Sequence, residues 1–228
     1  IGRSICDDLG VKFLTDFKKA KSGVPYLNDI FYRSLDYCDA DYYCYINCDM
    51  ILLQDFAEVL KDVHELISGK RFLMVGPRWD WGNPVSIDFD NTSDEDIREL
   101  VFADGNWHPS TGMDYFIFGK TTFDIIPEFL MARTRFDNAI ASYAIHNSDI
   151  IDINFNKVIH TIHQDHGYTD GKGSKTGDDS TLREMFRDEF DYNVALHDNS
   201  AGWEGCWGAD NFGNILQKID EKYVVRQK

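Results

Sequence analysis

No apolar run in the chain approaches the roughly 18 residues of a membrane-spanning helix, so nothing in the sequence reads as a membrane span. Cysteine is sparse. Cys6, Cys38, Cys44, Cys48 and Cys206 form no CxxC pair of the kind that holds zinc, and their odd number argues against a full disulfide framework. Neither a G-x-G-x-x-G fingerprint nor a P-loop is present. Positive charge is also scarce: 23 Lys and Arg stand against 39 Asp and Glu, for a net charge of −16. A field of that sign repels nucleic acid and excludes DNA or RNA as a partner. There is no internal repeat and no low-complexity tail.

What is present is enough for a sizeable core. The chain has 228 residues, of which 43% are hydrophobic and 14% aromatic. Residues 1–228 are expected to form one domain, burying about 70–75% of the unfolded surface. Aromatic excess suits the stacking of sugar CH faces on rings, and it equally suits an ordinary core. The acidic balance is awkward for an anionic ligand unless a divalent cation offsets it locally. It also serves simply as a solvated surface.

Along the chain, apolar residues at helical spacing predict helices over Tyr26 to Leu35 and Asp55 to Ile67, where Phe56, Val59, Leu60, Val63 and Leu66 share a face. Further helices are expected at Asp94 to Phe102, capped by Ser93 or Thr92, and at Asp137 to Ile145. Short β-prone runs predict strands at Val11 to Leu14, Asp41 to Ile46, Arg71 to Gly76, Tyr115 to Phe118, Ile150 to Asn154 and Val158 to Ile162. The stretch from Trp79 to Asn106 reads as acidic and loop-rich, and Gly167 to Asp179 as a loop. Strands alternating with helices indicate an α/β architecture with a largely parallel sheet.

The most informative segment is Tyr42 to Leu52, where an apolar strand delivers Asn47 and Asp49 to its carboxyl end and a second apolar run follows. Ligands of open α/β sheets bind beyond the carboxyl ends of strands. Residues two apart in an extended segment share a face. Asn47 and Asp49 can therefore address one ligand. An amide oxygen and a carboxylate are hard donors that suit Mg²⁺ or Mn²⁺, and such an ion would stabilise a departing diphosphate. The same triplet also serves as an ordinary turn or helix cap.

Other residues carry two readings as well. Arg78, in Gly76-Pro77-Arg78-Trp79-Asp80, suits bidentate phosphate binding or an ion pair with a neighbouring acid. Asp114 suits an acceptor contact or a loop anchor. Trp79, Trp81 and Trp107 are candidate stacking platforms. His163 and His166 are spaced like a zinc pair, but two further ligands are not evident. Lys172 and Lys175 sit in a loop that could close over a ligand or lie on the surface.

Apolar strand, Asn47-Cys48-Asp49, apolar run resembles the metal-binding DxD element of GT-A glycosyltransferases, with Asn standing where Asp is commonest. Gly112-Met113-Asp114-Tyr115-Phe116-Ile117-Phe118, Ile126-Pro127-Glu128-Phe129, Arg135-Phe136-Asp137-Asn138 and His163-Gln164-Asp165-His166-Gly167-Tyr168 follow in order. Together they resemble a little-characterised group of GT-A-like proteins over roughly residues 9 to 170. The resemblance implies a Rossmann-like, mostly parallel central sheet flanked by helices. It implies a metal-dependent transfer of sugar from a nucleotide-sugar donor to a hydroxyl of a glycan, protein or small-molecule acceptor. It makes Asn47, Asp49 and His163 candidate ligands of Mn²⁺ or Mg²⁺, and Asp137 the candidate general base, a residue that would otherwise be a helix cap. Arg78, Asp80, Asp114, Asn138, His166 and Tyr168 become candidate donor or acceptor contacts. With only ten residues before Val11, the first strand of such a domain is expected to be missing from a piece of a longer protein. Two rival readings are a nucleotidyltransferase of similar fold and a non-catalytic carbohydrate-binding or scaffold domain.

Overall fold

A computed structural model describes residues 2–82, 87–108, 111–155, 161–164, 180–205, 208–220 and 222–228. Helix α1 (Gly2–Asp8) buries none of its residues. Leu27–Tyr37 forms α2, which turns Leu27 and Phe31 inward. Then come β1 (Tyr43–Ile46), β2 (Met50–Leu52) and α3 (Asp55–Ile67), whose buried Val59, Val63 and Ile67 recur at the helical period. Strands β3 (Arg71–Val75) and β4 (Arg78–Trp81) lead to α4 (Asp94–Asp104). Ser93 caps α4 by accepting from the Asp96 N–H, and the Asp96 side chain answers from N3 in a capping box. The chain continues through β5 (Asn106–Trp107), β6 (Tyr115–Phe118), α5 (Phe136–His146), β7 (Ile150–Asn154) and β8 (Thr161–Gln164). It ends with α6 (Ser180–Met185), α7 (Arg187–Asn199) and a hairpin of β9 (Asn214–Ile219) and β10 (Lys222–Gln227).

Two sheets result. The larger has the order β1-β6-β3-β7-β9-β10 and the smaller β2-β8-β4-β5. Within the large sheet only β3–β7 and β7–β9 are parallel, while β1–β6, β3–β6 and β9–β10 are antiparallel. The fold is thus α/β, as expected, but its sheet is mixed rather than mostly parallel. The reason is β6. Its four residues are all buried, so they carry the signature of a central strand without recording its direction. It enters antiparallel between β1 and β3.

Helices cover both faces of this sheet. Leu27 and Phe31 of α2 and the Ala139–Ala141 stretch of α5 pack with Leu73, Val75, Phe116 and Phe118 on one side. The rings of Phe31 and Phe118 stack at 4.8 Å. On the other side α3 meets Phe72, Met74, Tyr115, Ile117 and Leu216.

The expected strand at Val11 to Leu14 does not form, and these residues are largely exposed: an isolated extended segment has no ladder to satisfy its backbone. Within the stretch expected to be loop-rich, Arg78-Trp79-Asp80-Trp81 alternates polar and apolar residues and forms β4.

Through the described strands the chain passes between the two sheets six times: from β1 to β2, β2 to β3, β3 to β4, β5 to β6, β7 to β8 and β8 to β9. The β3-to-β4 crossing is tight. A Cβ added at Gly76 would collide with the Tyr115 hydroxyl.

Candidate functional site

The small sheet has two chemically distinct faces, and its pairing register shows why. Asp80 pairs with His163 and Asn106, Arg78 with Thr161, and Met50 with His163, so these residues share one face. Trp79 pairs with Ile162 and Trp107, and with Trp81 and Ile51 these point the other way. The apolar face packs on Ile97 and Val101 of α4. Trp79 meets Phe102 at 4.9 Å and Trp107 at 5.5 Å. The three tryptophans therefore lie on the face turned away from the charged residues, with Trp81 buried. Trp81 packs within this face, whereas Trp107 remains exposed.

On the polar face Asp80 is the hub. Its Oδ1 accepts from Arg78 Nε at 2.7 Å and lies 3.0 Å from His163 Nδ1. Its Oδ2 is 2.6 Å from His108 Nδ1. Burial works to raise the Asp80 pKa, but the hydrogen bonds and charges of Arg78 and His108 hold it below the ordinary carboxylate value. The Arg78 guanidinium also pairs with Asp114. Of its two sequence readings, the structure therefore shows the ion pair with acids, and it is doubly made.

Asn47 and Asp49 lie in the crossing from β1 to β2. The Asn47 side chain is held on both ends: its oxygen accepts from the Tyr45 hydroxyl at 2.7 Å and its Nδ2 donates to Asp114 Oδ1 at 2.8 Å. Its backbone N–H donates to the Asp114 carbonyl at 2.9 Å. Asp114 thus anchors the crossing. Asp49, at the edge of β2, is turned to β8, where its Oδ2 stands 3.5 Å from His163 Nε2. The Gln164 N–H donates to the Asp49 carbonyl at 2.9 Å and fixes that edge.

Asp137 is not the N-cap of α5. Arg135 holds that position with φ 77°, in the left-handed region, and Asp137 is the second helical residue. Its Oδ1 accepts the Asn138 N–H at 2.8 Å. Burial raises its pKa to about 6, and the Asp114 charge adds to the effect. The Tyr45 hydroxyl is raised as well, first by burial and then by Asp114, Asp137 and Asp49. Tyr45 is tied to the Asn47–Asp114 group by its hydrogen bond to Asn47, and its ring meets that of Phe136, next to Asp137, at 6.2 Å.

Direct contacts therefore gather Asn47, Asp49, Arg78, Asp80, Asp114 and His163, with Asp137 beside them at the start of α5, while Asn138 is joined to the group only through its backbone N–H to Asp137. His166, Tyr168, Lys172 and Lys175 lie outside the described residues. Sequence reading missed His108 and Tyr45. The alternation of Asn106-Trp107-His108 against Arg78-Trp79-Asp80-Trp81 is the signal that could have placed His108 beside Asp80.

Among the described residues, no three His, Cys, Asp or Glu side chains converge as a ready-made metal-ligand group. Two donors do face each other. Ligands each about 2.1 Å from a Mg²⁺ ion stand roughly 3 Å apart when cis in an octahedron and further apart as the angle opens. The 3.5 Å between Asp49 Oδ2 and His163 Nε2 suits a shared cation, and Asp80 on Nδ1 braces the imidazole as such sites require. Asn47 fits this role less well, since its amide is engaged with Tyr45 and Asp114. A surface cleft of about 360 Å³ lined by Tyr42, His64, Lys70 and Lys120 lies beyond the amino-terminal ends of β1 and β3 and includes none of these residues.

No family model, curated protein or solved structure matches the chain. What the fold and the site define on their own is an α/β protein with a mixed six-stranded sheet and an acid–histidine centre where its two sheets meet.

Proposed function

We propose that the chain is a cation-dependent glycosyltransferase domain of GT-A-like fold, moving a sugar from a nucleotide-sugar donor to a hydroxyl acceptor. The observation that carries this reading is the facing pair of Asp49 Oδ2 and His163 Nε2, 3.5 Å apart. Two protein donors suit Mg²⁺ or Mn²⁺, which commonly take their remaining ligands from water and from substrate phosphates. When bound, the cation supplies Lewis-acid neutralisation of the diphosphate leaving group.

The protein's own residues do the rest. Asp49 and His163 hold the cation, and Asp80 fixes the His163 tautomer by taking its Nδ1–H. Asp114 and Arg78 tie the β1-to-β2 crossing to β4, so that Asp49 stays in place. Asp137, with a pKa near neutrality, is matched to accepting the proton of an acceptor hydroxyl as that oxygen bonds to the sugar carbon and the diphosphate departs with the bonding pair. In an acidic molecule of net charge −16, a bound cation would supply an attractive point for an anionic donor.

Thermal unfolding with Mn²⁺ and a panel of nucleotide sugars tests the reading, because a ligand that binds the folded state raises its melting temperature. Stabilisation by a nucleotide sugar only when Mn²⁺ is present, together with loss of transfer in Asp49→Ala without loss of fold, is expected. Normal transfer by Asp49→Ala would remove the cation assignment. Mn²⁺-dependent binding with neither transfer nor donor hydrolysis would favour the non-catalytic carbohydrate-binding reading.

A further inference from the structure

His108 follows β5, outside every motif of the sequence, and its ring is held on two sides. Its backbone N–H donates to the Arg78 carbonyl at 3.0 Å, which continues the β4–β5 ladder and places its side chain on the polar face. Its Nδ1 is 2.6 Å from Asp80 Oδ2. The other side of the ring lies against Gly112, where an added Cβ would collide with His108 Cδ2. Two independent constraints, a charged acceptor and a backbone wall, therefore fix one imidazole.

Asp80 stands between two histidines, with His108 on Oδ2 and His163 on Oδ1. A carboxylate held on one oxygen only can swing about its last side-chain bond. Held on both, it presents Oδ1 to His163 in a single orientation, which sets the direction of the Nε2 atom facing Asp49. The geometry points to His108 as a positioning residue: it holds Asp80, and through Asp80 it aims His163 at a divalent cation shared with Asp49. This inference rests on the cation reading above.

The test uses Mn²⁺ alone, titrated into the wild-type chain and into His108→Ala, His108→Asn and Gly112→Ala, with free Mn²⁺ read by electron paramagnetic resonance. Loss of an outer-shell partner of this kind typically weakens metal binding by about 10–100-fold. That loss is expected for His108→Ala. His108→Asn should recover part of it, since its amide can donate to Asp80 from nearly the same point. Gly112→Ala should weaken binding by displacing the ring, with His108 itself unchanged. Nitrogen chemical shifts of the His163 ring give a second readout without metal: one tautomer in the wild type and a mixture in His108→Ala. Wild-type Mn²⁺ affinity in His108→Ala, with His163 still held as one tautomer, overturns the inference and leaves the cation site standing. Should His108→Ala fail to fold, His108→Asn and Gly112→Ala decide, and wild-type affinity in both overturns it. A wild-type chain that binds no Mn²⁺ overturns the cation reading, and this inference with it.

Discussion

Asp137 occupies a position in which its ionised form is costly. Burial among the first turn of α5 and the neighbouring Asp114 charge move its pKa from 3.8 to about 6. The folded state therefore holds this proton more tightly than the unfolded chain, and stability falls as pH rises through the interval between those values. The full cost, on the order of 3 kcal/mol at one pKa unit per 1.36 kcal/mol, is present above about pH 7. Asp137→Asn keeps an acceptor for the Asn138 N–H and removes the charge. It should raise the melting temperature at pH 8 and leave it nearly unchanged at pH 4, while turnover falls by about 10²–10⁴-fold with donor affinity retained. Equal losses of turnover and donor affinity would make Asp137 a structural residue. In the wild type, turnover should climb with pH around 6. Asp137 was visible in the sequence as an acid at a helix start, but its raised pKa was not, because that depends on burial and on an aspartate 23 positions earlier.

At the scale of elements, α7 fixes the approach to α5. Asn193 is fully buried; its side chain accepts from the Leu130 N–H at 2.8 Å and donates to the carbonyls of Leu130 at 2.9 Å and Thr134 at 3.1 Å. Arg133 adds an ion pair to Glu189 at 2.7 Å and lies over the Phe186 ring at 4.5 Å. The clamp spans Ala132 and Arg135, both in the left-handed region, where a side chain is sterically unfavourable. Asn193→Ala leaves three backbone groups without their partner and should cost about 2–4 kcal/mol in urea unfolding. Replacement with only a small change in midpoint would mean that the clamp is dispensable. None of this was legible beforehand. The helical period of α3 and the apolar tetrad of β6 announce themselves locally, and both form over the residues the sequence predicts, Asp55–Ile67 and Tyr115–Phe118. The partners of Asn193 lie 59 and 63 residues away, beyond any local pattern.

For the whole molecule, the sequence made the alternation of strands and helices legible but not the directions or the division into two sheets. Periodicity reports which side of a strand is buried, and says nothing of which neighbour runs parallel to it. Every site residue except Tyr45 on β1 and the α5 residues Asp137 and Asn138 lies on a strand of the small sheet, beside one, or in a crossing between sheets. That distribution bears on how a ligand is received. Six covalent links join the strands of the small sheet to those of the large one, and the one after β3 is too close-packed to admit even a methyl group. Layers sewn together so often do not gape. The acids and imidazoles at their seam are preorganised, and little of the binding energy of an incoming ligand is spent on assembling them.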